Sequence, residues 1–280
     1  MKICKTIKDM REALREARGD DRRTGFVPTM GALHAGHLSL VRAARTACDP
    51  VVVSIFVNPT QFGPNEDFNR YPRVLERDCE LLASEGADFV FAPNVEEMYP
   101  AGAVTFVNVE GLSTKLCGRS RPGHFRGVTT VVAKLFHIVE PAKAFFGQKD
   151  AAQVAIIRRM VRDLDFPVEV VVCPIVRESD GLAMSSRNAY LSMEERKSAL
   201  ALSRSLAEVR RRFEGGMRET SRLAEAGRQV ISGEAGARLD YFEIVDPETL
   251  EPVARVERPA LVAVAAFVGK TRLIDNIVLP

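Results

Sequence analysis

The sequence predicts an α/β chain: a doubly wound parallel sheet over residues 1–176, followed by a smaller α+β unit over residues 177–280. Two observations carry this. Short β-branched runs alternate with amphipathic helical patterns through the first two-thirds of the chain, the signature of strand–helix–strand units. Near residue 177 the order changes to helices followed by strand patterns, which suits a separate antiparallel unit.

The elements follow in order. Thr6-x-x-Asp9 resembles a capping box, and Ile7, Met10, Leu14 and Ala17 mark one helical face. Gly25-Phe-Val-Pro28 reads as a short strand, with a helix from His37 through Cys48. Val51–Val57 is a buried-strand pattern. Asp78–Gly86 reads as a helix and Ala87–Pro93 as a strand. Arg126–Pro141 is a long helical pattern, and Lys143–Gly147 a strand. Asp150 suits the N-cap of a helix whose apolar stripe is Val154, Ile157, Val161 and Leu164, and Val168–Val176 is a further strand. In the second unit, Ser192-x-x-Glu195 caps a helix with a stripe at Leu202, Leu206, Val209 and Phe213, ended by Gly215-Gly216. A helix over Ser221–Ser232 precedes three strand patterns, Asp240–Asp246, Glu251–Val256 and Ala260–Val268.

Composition narrows the function classes. A chain of 280 residues buries roughly 75% of its unfolded surface. The net charge of +2 gives no reason to expect nucleic acid or a charged membrane as partner. The five cysteines are scattered and never in Cys-x-x-Cys, which reads as reduced thiols and a cytoplasmic location. The first residues do not read as a signal peptide, and the apolar runs are too short to span a bilayer.

Four segments hold candidate chemistry. In Pro28–His37, a strand hands over to a helix, the place where open α/β sheets bind ligands. Gly31 and Gly36 permit close backbone approach, the helix start suits phosphate, and His34 and His37 can donate to phosphate oxygens. Turn glycines with two incidental imidazoles are the competing explanation. Zinc is disfavoured because no Cys, Asp or Glu lies at ligand spacing. In the second segment, Asn58 and Gln61 follow another strand; these amides suit a substrate with hydroxyls and a carboxylate, although a plain Asn-Pro turn explains the segment equally well. The third, Phe145–Gln153, places Lys149 at a strand end and Gln153 on the first turn of a helix. The fourth is the polar loop Met184-Ser-Ser-Arg-Asn188, a weak phosphate clamp by itself. Gly269-Lys-Thr271 resembles the end of a Walker A loop, but Val264 stands where its first glycine should be, and no Gly-x-Gly-x-x-Gly occurs.

Taken together and in order, PTMGALHAGHLSLV, NPTQFGPNEDFNRYPR, RPGHFRGV, FFGQKD, DGLAMSSRN and RLIDNI resemble the pantoate–β-alanine ligase family of the nucleotidyltransferase superfamily, over essentially the whole chain. The resemblance implies a Rossmann-like first domain, a smaller C-terminal lid domain and a homodimer. It implies that ATP and pantoate, with Mg²⁺, form pantoyl adenylate and pyrophosphate, and that β-alanine then displaces AMP to give pantothenate. It implies an ATP site of Met30, Gly31, Ala32, Leu33, His34, Ala35, Gly36, His37, Gly147, Gln148, Lys149, Asp150, Val176, Met184, Ser185, Ser186 and Arg187. His34, His37 and Lys149 would stabilise the phosphates, Gln61 and Gln153 would hold pantoate, and Gln61 would also touch β-alanine. No metal ligand is assigned, since the triphosphate can hold Mg²⁺. Arg121 would serve the phosphates or the dimer. The family commonly reads Gly-Glu-Lys-Asp where this chain has Gly147-Gln148-Lys149-Asp150, and position 117, here Cys, is acidic in some relatives.

These roles fit the chemistry. A carboxylate is a poor electrophile until adenylation gives it a leaving group, so the protein's work is to position anions and offset charge. Two other functions compete. A nucleotidyltransferase acting on a phosphorylated acceptor would need more cations than Gln61 and Gln153 supply. A non-catalytic nucleotide-binding module need not keep His34, His37, Lys149 and Arg187 together.

Overall fold

The computed structural model describes residues 1–17, 23–64 and 66–280. In chain order the elements are β1 (Lys2–Cys4), α1 (Ile7–Ala17), β2 (Gly25–Thr29), α2 (Ala35–Ala47), β3 (Val51–Ile55), α3 (Leu75–Ser84), β4 (Phe89–Phe91), α4 (Val95–Met98), α5 (Cys117–Ser120), α6 (His124–Val139), β5 (Lys143–Gly147), α7 (Ala151–Asp163), β6 (Glu169–Cys173), α8 (Met193–Glu214), α9 (Thr220–Ser232), β7 (Ala237–Val245), β8 (Ala260–Val268) and β9 (Thr271–Leu279). The chain divides into two units. The first comprises residues 1–114, 118–147 and 156–173, and the second residues 115–117, 148–155 and 174–280.

In the first unit, six strands among the described residues form a sheet in the order β1-β4-β3-β2-β5-β6, with parallel pairing throughout. The sequence-based α/β class is therefore correct, and the strand order reverses between β2 and β5. At such a switch point the crossovers diverge and leave a crevice outside the carboxyl ends of the strands. The strands are apolar because both faces are covered: Val27, Val51, Val53, Val90 and Phe145 pack with Leu38, Val41 and Leu82 of α2 and α3 in one buried cluster. In α1, the Thr6 hydroxyl accepts the Asp9 N–H at 3.0 Å, and Met10 and Leu14 are buried. The edge strand β1 is not evident from the sequence, where three residues are too short to show alternation.

The second unit is a three-stranded antiparallel sheet, β7-β8-β9, covered by α8 and α9. The capping box at Ser192 and Glu195 forms, and Leu202, Leu206, Val209 and Phe213 of α8 are buried as their spacing predicts. With Leu223, Ile231, Phe242, Val262 and Val264 they build this unit's core.

The structure corrects the third strand of this unit and the apolar stripe of α7. Residues 251–256 form no strand. Pro252 lacks an N–H for a ladder, and the Val253 and Ala254 carbonyls accept the Thr220 hydroxyl at the start of α9 instead. The third strand is Thr271–Leu279, whose alternation is masked by the buried polar pair Asp275 and Asn276. Gly269-Lys270, the apparent Walker remnant, is the turn of the β8–β9 hairpin, since Val268 pairs with Thr271. The α7 stripe is shifted: Leu164 lies past the helix end and is 53% exposed, while Ile156 and Met160 are buried.

Candidate active site

The helix after β2 begins at Ala35, two residues before the expected His37. His34 is therefore the N-cap and His37 the third helical residue. The His34 Nδ1 accepts the Gly36 N–H at 3.1 Å, and the His37 Nδ1 receives the His34 N–H at 3.4 Å. This is a capping box built from two imidazoles, with ring centroids 4.1 Å apart. Because both Nδ1 atoms are acceptors, the neutral rings carry their protons on Nε2. The local helix signal thus sets the tautomer in which each ring has an outer N–H donor, at a helix N-terminus that already favours anions.

The turn between β2 and α2 is held from below by a residue that none of the sequence motifs contains. Asp78, on the first turn of α3 and almost fully buried, accepts the Ala32 N–H through Oδ2 and the Leu33 N–H through Oδ1, both at 2.8 Å. Burial pushes its carboxyl above the usual range, against the pull of these two N–H groups and the charge of Arg77. Gly31 sits at φ +81°, and a Cβ there would lie 2.9 Å from Asp78 Oδ2. Ala32 is also left-handed, at φ +51°. The Thr29 hydroxyl donates to the Ser54 carbonyl at 2.7 Å and accepts the Gly31 N–H at 3.2 Å, which ties the turn to β3.

Gln61 is brought to the same turn: its Nε2 lies 3.0 Å from the Met30 Sδ. Its Oε1 accepts the Asn58 Nδ2 at 3.1 Å. Asn58 itself is held on every side by protein groups. It is 1% exposed, its Nδ2 also donates to the Gly127 carbonyl, and its Oδ1 accepts from Tyr99 and Thr60. It orients Gln61. The close approach depends on Gly127 of α6, where a Cβ would stand 2.3 Å from the Thr60 carbonyl oxygen. From the RPGHF segment, Arg121 forms a two-point pair with Glu66 at 2.6 and 2.5 Å. Its Nη1 donates to the His124 Nε2 at 3.0 Å, so the His124 Nδ1–H donates to the Gln61 carbonyl at 2.8 Å. Arg121 thus braces the Gln61 segment. Asn65, within the same motif, lies outside the described residues. Gly147, the last residue of β5, completes the candidates of the first unit.

The second unit carries Gln148, Lys149 and Asp150 on a 3-10 turn and Gln153 on the first turn of α7. The turn is fastened to β9: the Asn276 Nδ2 donates to the Gln148 and Lys149 carbonyls at 3.0 and 2.9 Å, and its Oδ1 accepts the Gln148 Nε2 at 3.0 Å. The loop bearing the other candidates is fastened to the same strand. Arg177 pairs with Asp275, while the Met184 N–H donates to the Val176 carbonyl at 3.0 Å. The Ser185 hydroxyl accepts the Arg187 N–H at 3.3 Å and caps the Ser186–Tyr190 turn. Asn188 donates to Glu178 and to the Ala183 carbonyl, which closes the loop. The Asp-Asn pair of RLIDNI is legible as a motif but not as a role, because only the fold brings β9 to these segments.

Comparison with known proteins identifies the family. Residues 2–278 match the family model described as pantoate-beta-alanine ligase. A pantothenate synthetase of Acidobacterium capsulatum is 63% identical over 290 residues, covering 100% of this chain and 97% of that protein. The crystal structure of pantothenate synthetase from Thermus thermophilus superposes with a TM-score of 0.94 at 51% identity, over 99% of each chain. A pantoate-beta-alanine ligase from Francisella tularensis, solved with beta-gamma ATP and beta-alanine, gives 0.80 at 35% identity, over 99% of this chain and 97% of that one. The chain belongs to the pantoate–β-alanine ligase family and is an ATP-dependent ligase of pantoate and β-alanine.

Proposed function

We propose that the ligation runs in two steps on the residues described above. In the first, a pantoate carboxylate oxygen attacks the α-phosphorus of ATP, and the bond to the β-phosphate oxygen breaks to release pyrophosphate. In the second, the β-alanine amine attacks the acyl carbon of pantoyl adenylate; the amine loses a proton, and AMP leaves with the carboxyl oxygen it acquired. The observation that carries this reading is the imidazole capping box at the switch point. Its tautomers leave His34 and His37 as Nε2–H donors beside a helix N-terminus, which suits charge developing on a transferring phosphoryl group.

Residues 30–37, Gly147, Gln148–Asp150, Val176 and Met184–Arg187 are assigned to ATP, with Lys149 as the phosphate cation and His34 and His37 as stabilisers of the leaving pyrophosphate. Gln61 is assigned to pantoate and β-alanine, supported by its amide lying against Met30. Gln153 is assigned to pantoate. Among the described residues no group of three or more His, Cys, Asp or Glu could hold a metal ion, and both Asp78 oxygens already accept main-chain N–H groups. Mg²⁺ is assigned to the triphosphate, whose charge it would neutralise.

Self-association is part of the proposal. Val104 and Phe106, 81% and 44% exposed, lie outside any helix or strand, with the Arg126 guanidinium over the Phe106 ring, a surface suited to a second copy. A reducing compartment, the cytoplasm, suits the five free cysteines. No helix among the described residues is long and apolar enough to cross a membrane.

The test is AMP release from ATP, Mg²⁺ and pantoate, with and without β-alanine. AMP and pantothenate in equal amounts, with pyrophosphate exchange on pantoate alone, are expected. AMP formation with no exchange in the absence of β-alanine would overturn the adenylate route.

A further inference from the structure

We infer that Asn276 is a positioning residue for the adenylation step: from β9, its side-chain amide sets the main chain that carries Lys149. The inference rests on the assignment of Lys149 to the ATP phosphates. Asn276 is 3% exposed, and its amide makes three hydrogen bonds to one short turn. Both N–H donors go to consecutive carbonyls, those of Gln148 and Lys149, and the oxygen takes the Gln148 side chain. An amide is the one neutral side-chain group of this size that both donates twice and accepts. A hydroxyl, a carboxylate or an alkyl group in its place loses at least one of the three bonds. The amide is itself oriented, because two carbonyl acceptors on one side and an N–H donor on the other leave only one arrangement without a clash of like dipoles.

The consequence concerns reach. Lys149 carries a point charge on a flexible stem, so its contribution depends on where the Cα is held. The residue before it, Gln148, is fixed at both its carbonyl and its side chain, while Lys149 is fixed at its carbonyl. Asn276 is in turn set by its neighbour, since its N–H donates to the Asp275 Oδ1 at 2.8 Å, and Asp275 is held by Arg177. Two adjacent residues of β9 thus anchor the Lys149 turn and the loop that bears Met184–Arg187. A packing role alone would be met by any small apolar residue. The pairing of both donors with consecutive carbonyls of the catalytic turn is what marks Asn276 as a positioning group.

The experiment compares Asn276→Ala, Lys149→Ala and the double variant by ATP–pyrophosphate exchange with pantoate, with thermal unfolding as the check on folding. Asn276→Asp keeps the volume, loses both donors and serves as the second variant. A shift of about 1 Å at a charge-stabilising group costs about 100-fold, so a 10- to 100-fold loss of kcat is expected for Asn276→Ala, with the pantoate KM unchanged. In the Lys149→Ala background the same substitution should cost less than twofold. Equal losses in both backgrounds, or an unfolded Asn276→Asp together with a fully active Asn276→Ala, would make the role structural and overturn the inference. A Lys149→Ala enzyme of normal rate would instead overturn the assignment of Lys149 itself, whatever Asn276 does.

Discussion

The guanidinium of Arg177 and the carboxylate of Asp275 meet in a two-point pair, Nη1 to Oδ2 at 2.7 Å and Nη2 to Oδ1 at 2.9 Å, with Asp275 3% exposed. Arg177 Nη1 also donates to the Gly181 carbonyl at 3.0 Å, so one side chain closes the loop and fastens it to β9. Removing one partner of such a pair leaves a desolvated charge behind, which costs about 3 kcal/mol. Arg177→Ala leaves the buried Asp275 carboxylate unpaired and should therefore lower stability by about that amount in urea unfolding, and the ATP KM should rise while the pantoate KM stays within twofold. Changes in both constants by the same factor would argue that the loop has no selective part in nucleotide binding.

Asp78 and Gly31 make a second testable pair. Gly31→Ala forces a Cβ into the left-handed region and to within 2.9 Å of the carboxylate. A strained backbone position costs about 1–3 kcal/mol. The variant should be destabilised by that amount, and adenylate formation should fall at least tenfold, as the turn bearing His34 shifts. Asp78→Ala leaves two buried N–H groups without acceptors, at about 1–3 kcal/mol for each, and should produce the same loss of exchange activity. Pyrophosphate exchange at normal rate in either variant would show that the turn does not depend on this carboxylate.

The parts legible in the sequence are those with a local cause. Strand–helix alternation reveals the sheet, and the stripe of Leu202, Leu206, Val209 and Phe213 reveals the core of the second unit, because each pattern is set within one element. The turn of residues 30–37 can be located from its glycines and its place after β2. The roles of Asp78, Asn276 and Arg177 cannot be located that way. Each acts across 45 or more residues on main-chain groups or on a partner whose position only the tertiary fold defines. Asn58 shows a related limit: its hold on Gln61 depends on Tyr99, Thr60 and Gly127, which only the fold brings around it. Strand β9 shows the same limit, since buried polar residues break the alternation that reveals a strand.

The imidazole cap separates folding from chemistry. His37→Asn keeps a side chain able to accept the His34 N–H, whereas His37→Ala removes it. Loss of an electrostatic donor at a developing charge costs about 100- to 1,000-fold. Both variants should lose kcat for adenylation by about that factor, while only His37→Ala should lose about 1 kcal/mol of stability through the weakened cap. Urea unfolding and pyrophosphate exchange measured on the same samples decide the matter. An asparagine variant of normal rate would reduce His37 to a cap.

Glu66 gives a prediction with a definite sign in pH. Burial raises its carboxyl, but the two hydrogen bonds and the charge of Arg121, with the Gly63 N–H and His124, outweigh burial and hold it below its ordinary value of 4.5. A carboxyl depressed by folding stabilises the folded state above its unfolded-state pKa, and that contribution is lost as pH falls through the lower folded value. Glu66→Gln lacks the titration altogether. At pH 7 the glutamine variant should therefore unfold at lower urea concentration than the parent protein. The gap should stay constant down to about pH 5 and shrink below that ordinary value of 4.5. It should close at lower pH, once Glu66 is protonated in both states. Because Arg121 also donates to the Gln61 carbonyl at 3.3 Å, the freed guanidinium should disturb that segment and raise the pantoate KM at neutral pH. A stability gap that is flat from pH 7 to pH 3 would mean that the pair contributes through packing and that its charge has no net effect.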